Sequence, residues 1–294
     1  MPISGLTIIG ERINPGFASS LALLENRDLA GIQQLAINQT KKGAAYLTLN
    51  VGDIAVQEPQ FVVDVTRAIQ DVTHLPISFD YPNRQVQEVC LNTYDPAKAN
   101  GAKPIVNSVT ELRWDMLDVL AIQPAKIVLM ASERLEGGQA LKNKTAEEIA
   151  MTAHRMAANV LDSGHGLTPD DLIVDVSLAP LATDSEGEIL RAIEAIRLIG
   201  SDPGMKGVHM MVGLSNLGVM LPKEAADGSR LNVKVESAFL TMTMPLGLDT
   251  ILGTPGRDYQ ILPEDDFVYG VFRQIITAEG FDALVNVKQL YRRK

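Results

Sequence analysis

A single (β/α)8 barrel of the TIM type is the α/β fold this sequence predicts, and three observations predict it. Eight short apolar runs recur along the 294 residues, each followed by a helix-length segment. Such alternation marks a parallel sheet with helices packed outside it. The length suits one barrel, which usually takes about 250 residues, so one domain over residues 1–294 is expected. Finally, six of the eight runs end in, or run into, a carboxylate or carboxamide. In a closed barrel all strand C-termini open onto one face, so those side chains converge there. A doubly wound nucleotide-binding sheet would carry Gly-x-Gly-x-x-Gly at its first turn. Here that turn reads Gly10-Glu-Arg-Ile-Asn-Pro-Gly16.

The strands are expected at Leu6–Ile9, Ala45–Asn50, Pro76–Asp80, Pro104–Asn107, Lys126–Met130, Leu172–Asp175, Met210–Gly213 and Thr250–Leu252. Each is rich in Ile, Val or Leu, as strands covered on both faces should be. Helices are expected at Asp28–Gly43, Glu58–Val72, Gln85–Leu91, Glu111–Ala121, Ala146–Ser163, Ser185–Ile199, Val233–Leu246 and Glu264–Ala278. Lys42-Gly43, Ser163-Gly164 and Gly247 sit where a helix stop belongs, and Thr145-Ala-Glu-Glu148 reads as a capping box. Two connections on the strand-end side are long, Ala131–Lys144 and Leu217–Leu231, and read as lids or docking loops.

Composition narrows the function. Hydrophobic residues make up 46%, enough for one continuous core, and the net charge is −10. An acidic chain is a poor partner for nucleic acid or an anionic membrane surface. There is no apolar run of 18 residues and no basic leader with a cleavage site, so a cytoplasmic protein is expected. One cysteine, Cys90, excludes an internal disulfide and an all-cysteine metal site. The four histidines (His74, His154, His165 and His209) do not fall at metal spacing and read as structural, with His74 and His154 on helices; no metal is expected. His-Glu-x-x-His, P-loop, Gly-x-Ser-x-Gly and Cys-x-x-Cys motifs are missing. Met205 to Met220 reads as core, and Tyr291-Arg-Arg-Lys294 as a solvated tail.

The strand ends carry the chemistry. Glu11 and Asn14 follow the first strand, although Glu11 with Arg12 could be a surface pair and Asn14 a turn residue before Pro15. Asn50 and Asp53 follow the second with the same two readings. Asp80 and Asp175 each close an apolar run, where desolvation raises a carboxylate's pKa unless it gains hydrogen bonds. A ligand with adjacent N–H donors would supply them; helix N-capping is the alternative for Asp80, ahead of Pro82. Asn107 can donate and accept together, as a ring N and N–H edge requires. Gly213-Leu-Ser215-Asn216 ends the seventh strand in a glycine that permits close backbone approach. Asn216 then lies over the mouth, able to hydrogen-bond a reacting nitrogen. A ring of Asp and Asn in an apolar mouth suits a small heterocycle rich in N–H and C=O groups.

Ile9-Gly-Glu-Arg-Ile-Asn14, Leu47-Thr-Leu-Asn-Val-Gly52, Phe79-Asp80, Val106-Asn-Ser108, Ile173-Val-Asp175 and Gly213-Leu-Ser-Asn216 fall in order at strand ends. In this the chain resembles the methyltetrahydrofolate:corrinoid methyltransferases of one-carbon metabolism, over essentially its whole length. The resemblance implies a pterin-binding barrel that exchanges a methyl group between N5 of tetrahydrofolate (or 5-methyltetrahydrofolate) and the cobalt of a corrinoid. It implies that Asp80, Asn107 and Asp175 hold the pterin, and that Glu11, Asn14, Asn50, Gly213 and Ser215 complete the binding site. Asn216, at N5, would be the catalytic residue. The chain departs from the family at Thr48, where an acidic residue is usual; Asp53 or Glu11 could compensate. It lacks the Asp-x-His-x-x-Gly cobalamin motif, so the cobalamin is expected on a separate corrinoid protein. The resemblance also implies a homodimer. Divergence at Thr48 tilts the direction towards tetrahydrofolate methylation in a demethylation pathway, the reverse direction being the alternative.

Three rivals are distinguishable. A dihydropteroate synthase would show a Lys after the seventh strand and Arg-x-His near the eighth, where this chain has Gly-Leu-Ser-Asn and Ile251-Leu-Gly-Thr-Pro-Gly-Arg-Asp258. A non-catalytic folate binder would keep its affinity on loss of Asn216. A phosphate-handling barrel would want a glycine-rich loop after strands seven and eight, which Gly253-Thr-Pro-Gly256 echoes.

Overall fold

The computed structural model describes residues 3–278 and 280–292; of the basic tail, Arg293 and Lys294 lie outside the described residues. Eight parallel strands close on themselves: β1 (Thr7–Gly10), β2 (Tyr46–Leu49), β3 (Ile77–Asp80), β4 (Ile105–Val109), β5 (Lys126–Met130), β6 (Leu172–Asp175), β7 (His209–Gly213) and β8 (Thr250–Gly253). β8 returns to β1 with Thr7 opposite Thr250 and Gly10 opposite Gly253, which completes the barrel.

Successive strand side chains point to opposite faces, and here the two faces are unequal. Outward positions such as Ile8, Leu47, Ile77, Phe79, Val106, Leu129, Val174, Val212 and Ile251 join the large core beneath the helices. Inward positions Ile9, Tyr46, Ile105, Val128, Ile173, Met211 and Leu252, one each from seven strands, form a separate inner plug. β3 is the strand absent from the plug, and it places Ser78 at that parity. This plug fills the barrel and separates its floor from the mouth above. Two residues further along, each strand presents its next inward side chain at the mouth.

Four of the helices start at side-chain caps that satisfy a first-turn amide. Asp28 accepts from Gly31 N, Asn83 from Val86 N and Asp266 from Tyr269 N. Thr145 and Glu148 form the expected capping box of Ala146–Leu161.

Some elements differ from expectation. Residues 111–121 yield no α-helix but a 3-10 stretch, Trp114–Ala121, because the buried Glu111 is drawn away: it binds Arg155 and accepts from Leu135 N at 2.9 Å. The loop expected after β5 is a β-hairpin of Glu133–Glu136 with Gln139–Lys142. Its turn is Gly137-Gly138, both at positive φ, as a two-residue type I′ hairpin turn requires. Helices Ala18–Glu25 and Gly280–Val287 add to the expected set, their short apolar faces giving too little pattern to announce them. His74 lies beyond the end of Pro59–Gln70, not on a helix, with Nδ1 at 2.9 Å from Lys98 O. Among the described residues no helix is long and apolar enough to cross a membrane, and no cluster of His, Cys, Asp and Glu could hold a metal ion.

Candidate functional site

Two residues on from the inner plug, or from Ser78 on β3, stand Glu11 after β1, Thr48 on β2, Asp80 on β3, Asn107 on β4, Met130 on β5, Asp175 on β6, Gly213 on β7 and Thr254 after β8. Seven of these eight positions are polar or glycine, over a plug that is almost wholly apolar. Asn50 follows two beyond Thr48 at the same parity, so parity alone brings Glu11, Asn50, Asp80, Asn107, Asp175 and Gly213 to one inward side at the mouth.

On one side the ring gathers Asn50, Asp80, Asn107 and Asp175. Asp80 and Asn107 are register partners on neighbouring strands. Asn50 Nδ2 donates to Asp80 Oδ2 at 3.3 Å while its Oδ1 accepts from Gly52 N at 2.7 Å, so Asn50 serves both the turn and the site. Asp80 caps no helix, since Asn83 takes that position, and burial pushes its carboxyl up against the weaker help of Asn50. Asp175 is buried deeper. Desolvation pushes its carboxyl up to about 6, Asp80 adds repulsion, and one hydrogen bond from Ser177 N at 2.8 Å opposes both. Ser177 makes that bond from a left-handed conformation at φ 61°, strain of the kind that persists where the surroundings demand it. Beneath them the hydroxyls of Thr48 and Ser78, register partners, are buried without a partner. The β4–β5 ladder also slips between Val106 and Val109, so Asn107 sits at an irregularity of the kind that re-aims side chains near sites.

On the other side lies a cavity of about 360 Å³, lined among others by Glu11, Asn14, Ser215, Asn216, Asn232, Glu236 and Arg257. A larger surface groove, about 1090 Å³ beside helix Phe267–Ile276, contains none of the inward ring and is no candidate. Among the described residues, Glu11 forms no ion pair with an arginine. Its Oε2 accepts from Ser215 Oγ at 2.7 Å and its Oε1 from Thr254 Oγ1. Arg12 turns away, bonding Ser19 Oγ at 2.9 Å and stacking on Phe17. Asn14 keeps its turn role, accepting from Gly16 N at 2.8 Å, while also lining the cavity. Asp53 is exposed at the start of Ile54–Gln57 and does not reach the site.

Asn216 joins the two sides. It sits in the 3-10 turn Leu214–Gly218, and its Nδ2 donates to Leu178 O, beyond β6, at 3.3 Å. A Cβ on Gly213 would stand 3.1 Å from that nitrogen, so the glycine admits the fold-back.

Sequence reasoning misses Glu236 and Arg257. Glu236 is on helix Leu231–Thr243, fully buried, and pairs with Arg257 in the loop after β8. Desolvation pushes its carboxyl up to about 7, with Arg257 opposing and Glu11 adding to the rise. A buried Glu inside Val233-Lys-Val-Glu-Ser-Ala-Phe is a detectable signal, because it falls on the apolar side of that helix.

The chain matches the pterin binding enzyme family over residues 10–252. It is 24% identical over 261 residues to the methylcorrinoid:tetrahydrofolate methyltransferase of Eubacterium limosum, covering 85% of each chain. Among solved structures it resembles the dihydropteroate synthase of Clostridium difficile, at 17% identity and TM-score 0.58 over 92% of this chain and 96% of that one. It also resembles the dihydropteroate synthase of Thermus thermophilus, at 17% identity and TM-score 0.56 over 87% and 91%. At such identities these structures speak for the shared barrel.

Proposed function

This chain belongs to the pterin-binding enzyme family, and we propose that it moves a methyl group from a methylated corrinoid protein to N5 of tetrahydrofolate. The observation that carries the reading is the Asp80–Asn107–Asp175 arc. It holds two carboxylates and an amide in a buried mouth, with unspent acceptor capacity. A flat 2-amino-4-oxo pterin offers adjacent N–H donors to the carboxylates and a mixed ring edge to the amide. The unpaired Thr48 and Ser78 hydroxyls below add polar atoms without partners, as a site for a polar ring should have.

With the pterin edge on that arc, Asn216 is the group expected at N5, where an amide can accept from N–H or donate to a lone pair. Chemistry at N5 is a displacement, so the protein's share is positioning and electrostatics. The corrinoid supplies the exchangeable methyl group and arrives on a separate protein. The resemblance to the Eubacterium limosum enzyme favours the direction towards tetrahydrofolate. The implied homodimer belongs to the same proposal, and sedimentation would measure it.

A dihydropteroate synthase reading has the barrel in its favour and the residues against it. Gly213-Leu-Ser-Asn216 follows β7 without a lysine, and Arg257-Asp258-Tyr259 stands after β8. A phosphate-handling reading fares no better. The echo loop Gly253-Thr-Pro-Gly256 presents its Thr254 hydroxyl to Glu11, and Arg257 is already neutralised by Glu236. Two carboxylates and one guanidinium repel an anion.

The test is calorimetric titration with tetrahydrofolate and 5-methyltetrahydrofolate, followed by a methyl-transfer assay with a methylated corrinoid protein. Binding of both folates with turnover supports the reading. Binding without turnover leaves a folate binder, and no binding removes the pterin site.

A further inference from the structure

The cavity beside Asn216 holds a charge imbalance that binding alone does not use. Among the described residues, its lining contains the carboxylates of Glu11 and Glu236 and one cation, Arg257. Glu11 is satisfied by two neutral hydroxyls, Ser215 and Thr254. Glu236 gives Oε1 to Arg257, while Oε2 is sealed from solvent and faces the Tyr259 hydroxyl without a well-formed hydrogen bond. The titratable groups that act on Glu236 are thus Arg257 and Tyr259 from the loop after β8 and Glu11 from the end of β1. Gly218, in the turn that bears Asn216, comes so near that a Cβ there would lie 3.6 Å from Glu236 Oε1.

One negative charge in this group has no counter-charge in a place where burial disfavours it. We propose that the Glu11–Arg257–Glu236 group is the proton acceptor of the methyl transfer, with Glu236 holding the proton. The proposal rests on the methyl-transfer reading above. As N5 of tetrahydrofolate forms its bond to the methyl carbon, the cobalt–carbon bond breaks and its electron pair stays with the metal. N5 then carries both a methyl group and its original hydrogen, with a positive charge. Loss of that proton to the Glu236 carboxylate leaves neutral 5-methyltetrahydrofolate and a neutral carboxylic acid. In the reverse direction the same acid returns the proton and makes N5 a leaving group. Burial holds Glu236 at about 7, where an acid–base group works both ways at neutral pH.

Two measurements test this. In infrared difference spectra of folate-free Asp175→Asn protein, the C=O stretch of a protonated carboxylic acid should titrate near neutrality, and adding Glu236→Gln should remove that component. In single-turnover transfer at saturating tetrahydrofolate, where the Asp175-dependent affinity no longer limits the rate, the wild-type rate should rise with pH through the same range. Glu236→Gln should lose that limb and about 10- to 100-fold in rate, a typical share for general acid–base catalysis. It should bind folate within about threefold of wild type, and Glu236→Asp should recover the limb. An unchanged pH profile and rate in Glu236→Gln would overturn the proposal while leaving the methyl-transfer reading intact. A wild type that transfers no methyl group overturns both, and the infrared titration still shows whether Glu236 binds the proton.

Discussion

Ser215 Oγ donates to Glu11 Oε2 at 2.7 Å, joining residues 204 positions apart. With Thr254 on its other oxygen, Glu11 ties the loops after β7 and β8 to the end of β1. Ser215 immediately precedes Asn216, so this bond sets where the Asn216 amide stands. With each oxygen accepting from a protein hydroxyl, the geometry of Glu11 suits positioning of these loops.

Removing the hydroxyl should therefore act on rate more than on affinity. Ser215→Ala loses one hydrogen bond to a charged group, worth about 1.5 kcal/mol, so kcat should fall roughly tenfold. The folate dissociation constant should stay within about threefold, since the Asp80–Asn107–Asp175 arc is untouched. Steady-state kinetics beside calorimetry separate the two, and an equal loss in both would assign Ser215 to binding.

Gly213→Ala tests the same position from the other side. The added methyl group meets Asn216 Nδ2 at 3.1 Å and must push the amide away. Methyl transfer should drop by about tenfold or more, as small misplacements at a reacting centre do, with the fold retained. Wild-type turnover in this variant would place Asn216 away from the reaction.

Folate binding should weaken in acid. Asp175 is raised to about 6 in the free protein, and pterin N–H donors need its carboxylate form. Affinity should be full above that pH and fall below it, with a proton released on binding in acid. Calorimetry in buffers of different ionisation heat reads that proton directly. Asp175→Asn should release none and bind about 30-fold more weakly, the loss of about 2 kcal/mol expected for a charge-assisted pair.

The barrel floor makes an opposite pH prediction for stability. His209 Nδ1 lies 2.6 Å from Asp249 Oδ2, and Nε2 lies 3.2 Å from Asp170 Oδ1. The Asp249 hydrogen bond raises the imidazolium's pKa above its ordinary value. A raised folded-state pKa stabilises fully below the unfolded value near 6.5, and the contribution is lost as pH rises through the folded value. The imidazole is partly exposed, so screening limits this to about 1 kcal/mol. Melting temperature should decline slightly from pH 6 to 9, and His209→Gln should flatten that slope.

Local order along the chain is enough for the strands, the barrel and the inward ring. Period-two alternation places Glu11, Asn50, Asp80, Asn107 and Asp175 at one parity whatever else happens, because a strand has only two faces. The Gly137-Gly138 hairpin is less legible, since two glycines mark a flexible loop and a tight I′ turn alike. The pattern of residues 111–121 marks a helix, but not its 3-10 form or its start at Trp114. Its start depends on Glu111 being held by Arg155 and by the Leu135 amide, which are distant in sequence.

The same division runs through the site. Short-range pattern selected which side chains reach the mouth, but not what each would meet there. Whether Asp80 caps a helix or stays free, whether Glu11 binds ligand or holds a loop, and whether Glu236 carries a proton all turn on neighbours brought from other strands. Desolvation and ion pairing are properties of that packed environment, and only the folded barrel supplies it.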